Sequence, residues 1–254
     1  MSKVIMCFLL MCGVASAETV KLGTGNTVMV RGEINGKSMD EAARRLILLD
    51  TMRGNRKFPI YLVFDSPGGD IEAGENFIEI AKGIKNVQTI TVFAASMASA
   101  IVEALPGNRL ILSSGVMMFH RAAGQVGGQF ETGELESRLD FYKRYVRRME
   151  QRNADRMSMK LDDYKANVKD ELWLTSGDAL SKKAADSEVS VSCSKKLIDD
   201  KQVVRITFFI YEIDLAFSGC PLFRNPQVLT GQKEETVEAY YKWKGLQNEA
   251  NQKY

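Results

Sequence analysis

One histidine, His120, occurs in 254 residues, and cysteine is nearly as scarce at four. No close-spaced cluster of these ligand types exists, so a metal centre has too little to bind. Charge of one sign is also missing. Lys+Arg at 34 against Asp+Glu at 32 leave +2, and nothing in that balance favours nucleic acid or an anionic membrane as a partner. Five prolines and 20 glycines are too few for a collagenous or low-complexity chain, while 45% hydrophobic residues are too many for wholesale disorder. No apolar run reaches the roughly 18 residues of a membrane-spanning helix. No internal repeat is present. What remains is an ordinary globular composition, long enough for one large domain or two small ones.

The N-terminus reads as a removable segment. Lys3 supplies a positive start, Val4–Val14 an apolar core, and Ala15-Ser16-Ala17 a small-x-small cleavage site. That order predicts a secretory signal peptide over residues 1–17, cut after Ala17, and a periplasmic or secreted product. Cys7 and Cys12 leave with it. The two that stay, Cys193 and Cys220, are expected to pair in an oxidising compartment.

From Val28 to Val126 strand and helix patterns alternate. Val28–Ile34, Pro59–Asp65, Thr89–Ala94, Arg109–Ser113 and Val116–Phe119 read as short apolar strands. Between them lie helical stretches. Ser38–Met52 has Ser38 as N-cap with Glu41 as capping-box partner. An apolar face follows at Ile71, Phe77, Ile78, Ala81 and Ile84, and then Met97–Leu105, closed by Pro106. The alternation predicts an α/β fold with a mainly parallel sheet. After the glycine-rich Gly124–Gly128, a long helix is predicted over Glu131–Met157, with an apolar stripe at Leu135, Leu139, Tyr142, Val146 and Met149. That stripe fits either the monomer core or an interface between copies. Arg147, Arg148 and Arg152 interleave with acids and read as a solvated face. Val203–Phe217 predicts a hairpin or an added edge strand, and Thr236–Asn251 a terminal helix. The expected division is a main α/β domain over 18–191 and an extension over 192–254, a β-rich segment plus the terminal helix.

Three junctions carry residues with chemistry. Asp65-Ser-Pro-Gly-Gly-Asp70 joins a strand to a helix, and its glycines permit a turn that aims N–H groups at the sheet's C-terminal edge; the plain reading is a tight turn. Phe93-Ala-Ala-Ser-Met-Ala-Ser99 puts Ser96 where a strand ends and a helix begins. There it is either an ordinary N-cap or a nucleophile in the field of a helix N-terminus. Met117-Met-Phe-His-Arg121 ends a strand on the single histidine, structural or basic in role.

Together, in this order and at this spacing, the three junctions resemble the proteolytic subunit of Clp protease, ClpP. The resemblance covers about Val28 to Val191. It implies a ClpP/crotonase-type fold of stacked βαβ units with a long helix after the histidine. It further implies a serine endopeptidase that needs no cofactor and cuts polypeptide substrates. Ser96 would be the nucleophile and His120 the base. Asp170 would be the orienting acid, with Glu171 as its alternative because the local register carries one extra residue. The amides of Gly69 and Met97 would form the oxyanion hole, with Gly68 and Gly124 at the substrate. A homo-oligomer built on the long helix is implied as well. The chain departs from that family in Phe93, where glycine is usual, in its signal segment, and in its extension. Export removes ATP, so no ATPase unfoldase partner is expected. Two rival readings stay open: a Ser/Lys peptidase using Lys143, and a non-catalytic scaffold. A crotonase-type hydratase fits poorly, because export removes it from CoA.

Overall fold

The computed structural model describes residues 18–122, 131, 133–208, 210–229 and 233–239. The expected signal segment, Gly124 with its glycine-rich neighbours, and most of the expected terminal helix lie outside these residues. The strands, in chain order, are β1 (Glu18–Leu22), β2 (Thr27–Arg31), β3 (Ile60–Ser66), β4 (Val87–Ala95), β5 (Arg109–Phe119), β6 (Leu172–Thr175) and β7 (Ser187–Cys193). They form one sheet in the order β1-β7-β5-β4-β3-β2. All neighbours in that order are parallel, and β6 adds antiparallel to β5. The crossovers are α1 (Gly36–Arg53), α2 (Ile71–Lys82) and α3 (Met97–Ala104). The apolar runs seen in the sequence are covered on both faces, as a parallel sheet requires: Leu62, Val63 and Phe64 of β3 are all fully buried.

Two local expectations are corrected. The cap of α1 is Asn35, not Ser38. The Asn35 side chain accepts from the Ser38 amide at 3.0 Å, and the Ser38 hydroxyl accepts from the Asn35 amide at 3.0 Å, so Ser38 is the third residue of a capping box whose cap is an asparagine. The two strands expected at Arg109–Ser113 and Val116–Phe119 are one strand, β5. Its middle meets a register shift on β4 between Thr91 and Phe93, and Gly115 makes the close approach there. A Cβ on Gly115 would lie 2.8 Å from the Thr91 carbonyl oxygen.

The long helix α4 runs Glu134–Arg156, followed by α5 (Leu161–Asn167) and α6 (Ser176–Ser181). Only Asn153 and Ala154 of α4 are buried. Leu135 and Leu139, the first two residues of the stripe, are exposed, and Phe141 beside them is 63% exposed. The described monomer therefore does not cover the N-terminal half of the stripe. Beyond β7, α7 (Lys195–Asp199) leads to a separate antiparallel sheet of β8 (Lys201–Phe208), β9 (Tyr211–Ser218) and β10 (Gln227–Val228), the hairpin expected at Val203–Phe217. Cys193 at the end of β7 and Cys220 just after β9 are joined by a disulfide across 27 residues. On the chain-entropy model such a link contributes about 3–4 kcal/mol. Thiol titration of denatured, unreduced protein purified as residues 18–254 should find no free thiol; two would contradict the bond.

A buried ionic cluster closes the base of the fold. Arg109 bonds Glu103 at 2.5 Å and Asp186 at 2.6 Å, and the Glu103 side chain is wholly inaccessible with one carboxyl oxygen unpartnered. Burial pushes the Glu103 carboxyl up to about 8, against the opposing charge of Arg109. A raised folded-state value means that the native state holds a proton the unfolded state releases. Glu103 therefore contributes stability that is complete below the ordinary glutamate range and is lost as pH climbs to about 8. Comparing wild type with Glu103→Gln by thermal unfolding should show a steeper fall between about pH 5 and 8 in the wild type; parallel curves would contradict this.

Candidate active site

The site forms where β3, β4 and β5 end and their crossovers begin, at the C-terminal edge of the parallel sheet. Ser96 lies between β4 and α3 with φ 56°, a left-handed conformation that is costly for any residue but glycine. Two bonds hold this sharp turn. The Ser96 amide donates to the Met118 carbonyl at 2.9 Å, and the buried Ser99 hydroxyl donates to the Ala94 carbonyl at 2.7 Å. The serine does not cap its helix, since its side chain makes no capping hydrogen bond. Instead its Oγ is 2.7 Å from His120 Nε2. The strain and the missing cap together dispose of the plain reading of Ser96 as an N-cap.

The glycine turn completes the wall. Gly68 has φ 92° and Gly69 φ 147°. A Cβ on Gly68 would lie 2.7 Å from the Ser96 Cβ and 2.9 Å from the Met97 amide nitrogen, so no side chain fits between this loop and the serine. The loop is held from behind: Ile34 N–H donates to the Gly68 carbonyl and Asp70 N–H to the Ile34 carbonyl, each at 2.8 Å. Among the described residues, the Gly69 and Met97 amides have no backbone acceptor outside the regular helices and strands.

A cavity of about 190 Å³ opens on these groups, lined by Gly69, Ser96, Met97 and His120 on one side and by Met149, Asn153 and Tyr164 on the other. Asn153 donates to the Tyr164 hydroxyl at 3.1 Å, and burial pushes the Tyr164 phenol up to about 12. Sequence reading misses Asn153 and Tyr164. Neither carries a signal in the sequence, since the burial of Asn153 and of Tyr164 appears only in the fold. A larger cavity of about 520 Å³ lies along α4 by Phe141, Arg144 and Arg148, with no serine, cysteine, lysine or histidine in its wall.

The acids are placed differently from the serine and histidine. β6 pairs with β5 up to Phe119 opposite Leu172, so the next residues along each strand are His120 and Glu171. The Glu171 carboxylate accepts from the Trp173 indole at 2.9 Å, and its backbone has φ 70°. Asp170 is exposed with no side-chain partner among the described residues. Both acids immediately precede β6, neither lines the cavity, and neither is hydrogen-bonded to His120. Trp173 in turn packs on Phe93 with ring centroids 6.4 Å apart, which gives the unusual Phe93 a place. Lys143 lies on the open part of α4, 72% exposed and 3.7 Å from Asp140, and is not in the cavity wall. Gly124 is outside the described residues.

A model of the family described as Clp protease matches residues 15–187. The chain belongs to the Clp protease family. It is 25% identical over 157 residues to the ATP-dependent Clp protease proteolytic subunit of Streptococcus gordonii, covering 61% of this chain and 79% of the relative. The subunit of the same name from Streptococcus salivarius is 24% identical over 156 residues, covering 60% and 79%. Among solved structures, a single-residue mutant of ClpP1 from Listeria monocytogenes shares the fold. Its TM-score is 0.56 at 23% identity, over 65% of this chain and 92% of that one. The family match ends at residue 187, so the antiparallel sheet and the disulfide lie beyond it.

Proposed function

We propose that the chain is an exported, ATP-independent serine endopeptidase. One observation carries the reading: a strained serine at a strand–helix junction has its Oγ 2.7 Å from Nε2 of the single histidine and makes no capping bond to its helix. Ser96 attacks the scissile carbonyl while His120 takes the hydroxyl proton and then delivers it to the leaving amine. The Gly69 and Met97 amides receive the oxyanion, each donor worth about 3 kcal/mol in the transition state. Water then repeats the cycle on the acyl-enzyme. The acid that orients His120 comes from the pair that precedes β6, the strand paired with the end of β5. Asp170, whose carboxylate is uncommitted, takes the role, and Glu171 is the alternative that gives up Trp173 to do so. Lys143 is too exposed to act as the base in a Ser/Lys dyad.

The relatives are named as ATP-dependent subunits. The signal-like N-terminus supports a different setting here, one without ATP or an unfoldase. Peptide or casein hydrolysis by purified residues 18–254 should therefore proceed without nucleotide and be unchanged by added ATP and magnesium. Hydrolysis that requires ATP and an added unfoldase would overturn this part of the reading; no hydrolysis under either condition would overturn the enzyme itself.

The exposed half of the α4 stripe supports a homo-oligomer assembled on that helix. Light scattering should give a mass of several chains, and replacing Leu135, Leu139 and Phe141 together by serine should reduce it to one. A wild-type mass of one chain at micromolar concentration would contradict the assembly.

A further inference from the structure

The extension beyond the family match reaches back to the loop that faces Ser96. Asp65 is the residue before Ser66-Pro67-Gly68-Gly69, and its carboxylate, 10% exposed, is held from two sides. Arg224 of the extension donates to it at 2.7 Å and 3.4 Å. Arg31, its register partner on β2, approaches it at 3.5 Å. Arg31 is itself held by the extension. Its Nη1 donates to the Ser218 carbonyl at 2.8 Å, and its guanidinium lies over the Phe217 ring at 4.9 Å. The segment carrying Phe217, Ser218 and Arg224 is fixed at its middle by Cys220, bonded to the end of β7.

This is a poor device for stability. The Arg31 side chain is 4% exposed, and its Nε and Nη2 have no hydrogen-bond partner. Burial lowers its affinity for its proton more than Asp65 raises it. A buried, partly satisfied ion pair fixes geometry better than it adds free energy. The geometry fixed here is that of the loop: Gly32 N–H donates to the Asp65 carbonyl at 3.1 Å, and the buried Ser66 hydroxyl accepts from the Gly68 amide at 3.1 Å.

We propose that the C-terminal extension is an intramolecular clamp on the oxyanion loop, with Asp65 as the positioning residue gripped by Arg224 and Arg31. The proposal rests on the serine-peptidase reading for its catalytic consequence, but not for its structural one. Releasing the grip leaves Ser96 and His120 in place and lets the Gly69 amide drift from the oxyanion position.

The variants are Arg224→Ala, at a side chain 56% exposed, Arg224→Lys, and Asp65→Asn in the full chain. Peptide hydrolysis should show kcat falling about ten-fold in Arg224→Ala and Asp65→Asn with KM unchanged, and Arg224→Lys recovering part of the loss. A peptide boronate, which needs the oxyanion donors, should lose affinity in parallel. Amide hydrogen exchange, read in the Ser96→Ala background, should accelerate at residues 66–70 in Arg224→Ala and stay unchanged in β4 and β5. If the wild type proves inactive, this exchange result still decides the clamp. Unchanged exchange at 66–70 in Arg224→Ala overturns it, as does kcat within about two-fold of wild type. Should Asp65→Asn fail to fold, Arg224→Ala alone decides.

Discussion

Ser96→Ala should lower peptide hydrolysis about 10⁴- to 10⁶-fold, His120→Ala by a similar factor, and the double variant by little more than either alone. The reason is the shared hydrogen bond. At 2.7 Å between Oγ and Nε2, the serine hydroxyl and the imidazole act as one proton-transfer unit, and what survives its loss is substrate binding and oxyanion stabilisation. The proteins should remain folded, because Ser96 contributes no helix cap to lose. Circular dichroism establishes the fold and a fluorogenic peptide the rate. Single-variant losses that multiply in the double variant would show two independent residues in place of a unit.

Gly68→Ala should abolish activity and cost stability at once. The new methyl group would lie 2.5 Å from the Ala95 carbonyl oxygen and 2.7 Å from the Ser96 Cβ, at a φ of 92°. Neither neighbour is a flexible side-chain end, so the loop and the serine turn must separate. Left-handed strain and backbone crowding together cost about 3 kcal/mol. Gly25→Ala is the matched control, since nothing lies within 4 Å of its added Cβ. Urea unfolding should find Gly25→Ala close to wild type and Gly68→Ala destabilised and inactive. An active Gly68→Ala would mean that the loop does not pack on the nucleophile as described.

The legible part of this fold is the part with strong local signals. Short apolar runs bounded by turns mark β2, β3 and β4, and motif order rather than any one motif links Ser96 to His120. Less visible are pairings that depend on distant residues. β1 and β7, which pair Glu18 with Val189, have burial patterns too mixed to read as core strands. β5 reads as broken at Ser114 and Gly115, because the register shift on its neighbour that keeps the strand continuous leaves no trace in its own sequence. Ser38 reads as the cap in place of Asn35 because both residues suit the position, and only the backbone decides which stands there. The extension's role is not legible at all: the contacts of Arg31 with Ser218 and of Asp65 with Arg224 join residues 187 and 159 positions apart.

The most direct test is mass spectrometry of residues 18–254 after incubation with a fluorophosphonate. Ser96 should attack the phosphorus and expel fluoride, leaving one adduct per chain, mapped to the peptide containing Ser96. Labelling should vanish in Ser96→Ala and nearly vanish in His120→Ala. An unlabelled wild type, or an adduct that persists in Ser96→Ala, would contradict the assignment of Ser96 as the nucleophile.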